Sequence, residues 1–240
     1  YACHWMMMRS NPEVVETSLK KVETLFIGIN LASLPSVEVI NQFLNLAKEE
    51  SFGKISYFAA YGLYLIFNNF PPVREYLMEN EFYFFLFNHL SEPFSYKEIK
   101  DAIAIDNRII LNLSQTDILE TICQIITTLD QPISILELNT RLFTLFYKYQ
   151  IEKAIQFTPQ LASFLVNFLY ENTPLQGRVL HFFAVSIQST ADFLRAENHI
   201  AFLIQKCVDE EFSQPIYNCN KAAKLLVKAS PFYPDYLLQN

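Results

Sequence analysis

The sequence predicts an all-α protein built of repeated helical units, on three observations. Glycine is scarce: four residues in 240, under 2% against a usual share of about 7%. A sandwich or barrel needs a turn every 8–12 residues or so, and four glycines do not supply them. Second, Phe, Tyr, Ile and Val are abundant, yet strand alternation is nowhere sustained. They recur with helical spacing in runs of 11 to 18 residues, the pattern of deeply buried helices. Third, an apolar triplet at i, i+3, i+4 returns at Ile40/Phe43/Leu44, Phe82/Phe85/Leu86, Ile122/Ile125/Ile126, Leu161/Phe164/Leu165 and Ile200/Leu203/Ile204, at spacings of 42, 40, 39 and 39 residues. A period near 40 is what a stacked helical solenoid shows, because no single unit can bury its apolar face alone.

The elements follow in order. Residues 1–11 read as an irregular segment, and Asn11-Pro12 then pairs a cap with proline at the first helical position. That start opens a helix over 12–30 with Val15, Leu19, Val22 and Phe26 on one face. Ser36 caps a helix over 36–50, and another follows at 54–68. Pro71-Pro72 breaks the chain before a short turn at 73–79. Helices follow at 81–90, 97–113, 117–129, 133–149, 159–170, 175–188, 198–209 and 215–229. Thr158-Pro159 and Thr173-Pro174 repeat the cap-plus-proline start. No gap is long enough for a domain linker. Residues 12–240 therefore read as one helical-repeat domain with units near 12–35 (partial), 36–70, 71–115, 116–150, 151–189 and 190–240.

Composition also excludes functions. A chain that is 51% hydrophobic and 18% charged does not match disorder. A net charge of −7 argues against nucleic acid as the main partner. The longest apolar stretch, 55–67, has 13 residues, short of the roughly 18–20 a membrane-spanning helix needs. Cys3, Cys123, Cys207 and Cys219 form no C-x-x-C pair and read as reduced thiols of a cytoplasmic or nuclear protein. No phosphate loop, H-E-x-x-H or G-x-S-x-G stands in the chain. His4, His89, His181 and His199 lack metal-like spacing with Cys or acidic residues and read as core or surface histidines. No catalytic residue, metal or cofactor is therefore expected, and the expected class is protein binding.

The segment FAAYGLYLIFNNFPPVREYLMENEFYFFLFNHLS, residues 58–91, resembles an armadillo repeat passing from its third helix into the next unit. It has a small-residue helix (Ala59-Ala60-Tyr61-Gly62-Leu63), a loop, a short first helix carrying Arg74, a tight corner and an apolar second helix. The junction returns as ADFLRAENHIAFLIQKCVDE at 191–210 and as IEKAIQFTPQLASFLVNFLYE at 151–171. The corners that usually carry glycine hold Asn80, Thr158 and Asn198 or their neighbours, residues that tolerate a left-handed turn or can cap. The unit beginning near Thr116 lacks room for a first helix, which is HEAT-like. The resemblance implies a right-handed α-solenoid of armadillo/HEAT type, about five units long, whose third helices line a groove for a segment of a partner protein.

In armadillo proteins that groove carries a tryptophan and, four residues later, an asparagine that holds an extended peptide. The equivalents implied here are Arg108 and Asn112, Tyr61 and Leu65, Phe143 and Tyr147, Phe182 and Ser186, and Lys221 and Leu225. One unit keeps the asparagine and none the tryptophan, so the aromatic positions suit a helix or an apolar loop. Packing alone is the competing reading. The run FYFFLF, 82–87, is apolar all round; burial is its default, and Tyr83 and Phe87 would anchor a partner if exposed. Lys221, Lys224 and Lys228 stand at i, i+3, i+7 as a basic stripe. It reads either as a solvated face that complements the helix C-terminus or as a dock for an acidic segment or phosphate. The apolar end PFYPDYLLQN, 231–240, carries the alternative function, a structural subunit that self-assembles through it.

Overall fold

Helix dominates the computed structural model, which describes residues 34–49, 53–89, 95–128, 130–170, 173–196, 199–208 and 216–232. Thirteen α-helices, three short 3₁₀ turns and no strand lie among those residues. The expected helix over 12–30, the corner at Asn198 and residues 233–240 of the expected sticky end lie outside them. The chain divides into two compact units, 1–109 and 110–240.

Unit 1 starts with α1 (Val37–Lys48), whose N-cap Ser36 accepts from the Val39 amide at 3.5 Å. Ile40, Leu44 and Ala47, at i, i+4 and i+7, form its buried stripe. Helix α2 (Lys54–Asn69) begins after Gly53, whose φ of +51° is a conformation glycine adopts cheaply. It packs against α1, α4 (Phe82–Asn88) and α5 (Ser95–Ile105), which explains why it is apolar on nearly every side. Its C-terminal carbonyls are capped from the next helix, α3 (Arg74–Glu79). Arg74 Nε donates to Phe67 O at 2.9 Å and Nη2 to Asn68 O at 3.1 Å, while its guanidinium lies 5.6 Å from the Phe67 ring centroid. The corner between α3 and α4 is left-handed at Glu81 (φ 51°) rather than at Asn80. The FYFFLF run is buried at Phe82, Tyr83 and Leu86 and half-buried at Phe84, Phe85 and Phe87. Buried Ser56 donates to Ala47 O at 2.8 Å and meets His89 Nε2 at 2.9 Å. With the hydroxyl proton on the carbonyl, the His89 nitrogen is the donor.

The helix expected over 97–113 is two helices, α5 and α6 (Arg108–Ser114). Asp106 makes the break: its carboxylate accepts the Arg108 amide at 3.0 Å, a local bond that competes with helix continuation.

Unit 2 contains α7 (Ile118–Thr127), α8 (Ile133–Lys148), α9 (Glu152–Leu165), α10 (Gln176–Val185), α11 (Ile187–Ala196), α12 (His199–Val208) and α13 (Ile216–Ala229). Two departures from expectation occur here. Pro159 does not start a helix: α9 begins at Glu152 and runs through it. Thr158 is buried inside that helix and donates to Ala154 O at 2.8 Å instead of capping. The run expected over 175–188 ends at Ser186, whose amide and hydroxyl both bond Phe182 O, at 2.9 and 2.8 Å, and α11 begins afresh.

The helices of unit 2 pack in two rows. Helices α8, α10 and α13 stand side by side in that order, and α7, α9 and α11 in another, with α7 against α8, α9 against α8, and α12 against α11 and α13. Lys221 Nζ donates to Gly177 O at 2.8 Å and Lys228 Nζ to Ala184 O at 3.1 Å. Both pairs are separated by 44 residues. A constant difference in residue number, rather than a constant sum, means that α10 and α13 run in the same direction. Between α8 and α10, Glu137 accepts from Arg178 at 2.7 Å across 41 residues.

The five apolar triplets lie on α1, α4, α7, α9 and α12. Ile40, Leu44, Phe82, Leu86, Ile122, Ile126, Leu161 and Leu165 are buried, and the middle residues Phe43, Phe85, Ile125 and Phe164 are half-buried. In the last triplet Ile200 and Leu203 are buried and Ile204 is half-buried.

Candidate protein-interaction surface

Several of the candidate positions are buried. Phe143 is fully buried with its ring 6.0 Å from that of Phe182, itself buried. Tyr147 is 4% exposed and its hydroxyl pairs with Ser189 Oγ at 2.8 Å. Ser186 is fully buried and closes α10, and Tyr83 is 1% exposed between Phe82 and Phe84. The physical reason is common to all four: each lies where its helix meets a neighbour, so none offers contact area to a partner. Phe87 is half-buried. Arg108 is exposed, but its guanidinium is held by carboxylates. Nη1 and Nη2 reach Glu75 at 3.0 and 2.8 Å, and Nε and Nη2 reach Asp106 at 3.1 and 2.7 Å. That fork lowers the carboxyl pKa of both acids, the hydrogen bond to Arg108 being the leading cause. Asn112 is half-buried on α6.

Tyr61, half-exposed on α2, belongs to an aromatic and acidic group in unit 1. Its ring stacks 6.1 Å from Tyr64. Burial, and after it the charge of Glu98, raises the Tyr61 pKa. Burial, followed by Asp101, Glu98 and Tyr61, pushes the Tyr64 phenol up to about 12. Both phenols therefore stay protonated and act as donors. Glu98 on α5 is 4% exposed, and among the described residues its Oε2 has no hydrogen-bond partner. Burial raises its pKa. The unfolded chain loses that proton at a lower pH than the native chain, so stability falls as pH rises above the ordinary glutamate value. Glu98→Gln keeps the shape and removes the charge. It is expected to be more stable relative to the parent at pH 8 than at pH 4, because only the parent must bury a charged carboxylate at the higher pH. Urea denaturation at the two pH values checks this, and an equal effect at both would remove the carboxylate as the cause.

Unit 2 holds a group of Lys and Arg residues around one histidine. Lys221 is half-buried on α13, and Lys224 and Lys228 are exposed there. Lys221 and Lys228 lie across α10, on Gly177 O and Ala184 O. His181, exposed on α10, is four residues after Gly177 and three before Ala184, and so shares their face. Partial desolvation by the surrounding helices, and then the charges of Lys148, Lys221, Lys228 and Arg178, push its pKa down to about 4. The imidazole is thus neutral at pH 7, ringed by cations from three adjacent helices.

No family model and no curated protein matches this chain.

Lys221, Lys224 and Lys228 are legible in the sequence as a stripe, whereas His181, Arg178 and Lys148 come near them only in the fold. The signal for part of this surface was present. The repeat spacing, applied to charges rather than to apolar triplets, finds Glu137, Arg178 and Lys221 at intervals of 41 and 43 residues. Buried Cys123 has its pKa pushed up to about 12 by burial and the charge of Glu120. It remains a thiol and carries no nucleophilic chemistry at pH 7. Among the described residues no three His, Cys, Asp or Glu side chains gather as metal ligands, and no helix is long and apolar enough to cross a membrane.

Proposed function

We propose that the chain is a right-handed α-solenoid of armadillo/HEAT type acting as a non-catalytic scaffold. It holds a segment of another protein on the face formed by α8, α10 and α13. One observation carries this reading: the 44-residue register in which α10 and α13 run parallel. Up-and-down bundles alternate the direction of neighbouring helices. Stacked repeats set equivalent helices side by side in the same direction, one repeat apart in sequence. On this reading Phe143, Tyr147 and Ser186 support the face from beneath, and Lys221, Lys224 and Lys228 line it. A buried free thiol, Cys123, suits a reducing compartment, so the reading puts the protein in the cytoplasm or nucleus.

Light scattering coupled to size exclusion, over a hundredfold concentration range, tests the scaffold. A concentration-independent monomer is expected, because a scaffold keeps its face for a different chain. A dimer or larger species that disappears when residues 231–240 are removed would replace this reading with a self-assembling subunit.

A further inference from the structure

No further inference is drawn: the strongest candidate, the side-chain cluster of Tyr61 and Tyr64 on α2 with Glu98 and Asp101 on α5, is an acidic cluster in which Glu98 Oε2, without a hydrogen-bond partner among the described residues, is closed to solvent, and nothing in the structure shows what group would reach it.

Discussion

Aspartate in place of Leu86 is expected to abolish the folding of unit 1. Leu86 is fully buried on α4, which is packed against α2 and α5. Losing the leucine costs about 2–5 kcal/mol by the transfer and cavity terms. An unpaired buried carboxylate adds several kcal/mol more, or protonates and leaves its polar groups unpartnered. The sum meets or exceeds the roughly 5–15 kcal/mol that holds a domain together. Far-UV circular dichroism and a thermal melt give the readout: lost helix at 25 °C for Leu86→Asp, against a parent-like melt for Leu86→Met, a volume-conserving swap. Phe85→Asp is the informative neighbour. Phe85 was expected to share the core stripe but is only half-buried, so the substitution is expected to cost less than Leu86→Asp. The opposite order would mean that the middle residue of the triplet, not its ends, faces the core.

Phe182→Ala is expected to destabilise unit 2 by about 3–5 kcal/mol, the range for a buried aromatic truncated to alanine. Phe182 is 1% exposed, with Phe143 at 6.0 Å and Phe183 at 5.2 Å between ring centroids. Phe143 lies on α8 and Phe182 on α10, so this ring pair fixes one step of the row whose outer face carries the cations. The double variant with Phe143→Ala is expected to show a coupling of about 0.5–1.5 kcal/mol, the added worth of an aromatic pair. Urea denaturation of the parent, the two singles and the double measures both terms. A loss under about 1 kcal/mol for Phe182→Ala would mean that the ring does not hold the row.

The two experiments probe what was readable from residues alone. The all-α class was legible because four glycines and the spacing of Ile, Leu and Phe leave little room for sheet. The ends of the first four triplets are buried for the same reason: i and i+4 stand on one face wherever a helix forms. Boundaries set by local hydrogen bonding were harder to read. Asp106 and Ser186 end helices through bonds to an amide and a carbonyl that their identity alone does not announce. Pro159 continues a helix it was expected to start, because burial of Ala154, Thr158 and Leu161 holds α9 together across it. Among the described residues the left-handed non-glycine positions are Glu81, Asp130 and Gln150, of which only Asp130 is a type enriched in that conformation. The site was legible only as the lysine stripe of α13. His181 and Arg178 became part of it through neighbours about 40 residues away, which no local window spans.

The shared 44-residue register has a consequence for how such a chain is assembled and how its length can change. Both measured contacts between α10 and α13 span 44 residues, and the contact between α8 and α10 spans a similar 41. The entropy of closing that loop depends on its length, so the step from α10 to α13 costs the same however much chain lies beyond it. Rows built this way keep their contacts short relative to the whole, and that ratio falls as the chain grows, which favours rapid folding. On the solenoid proposal, duplicating or deleting one whole unit would preserve the loop length and the facing partners, whereas an insertion of a few residues between α10 and α13 would change the loop that joins them.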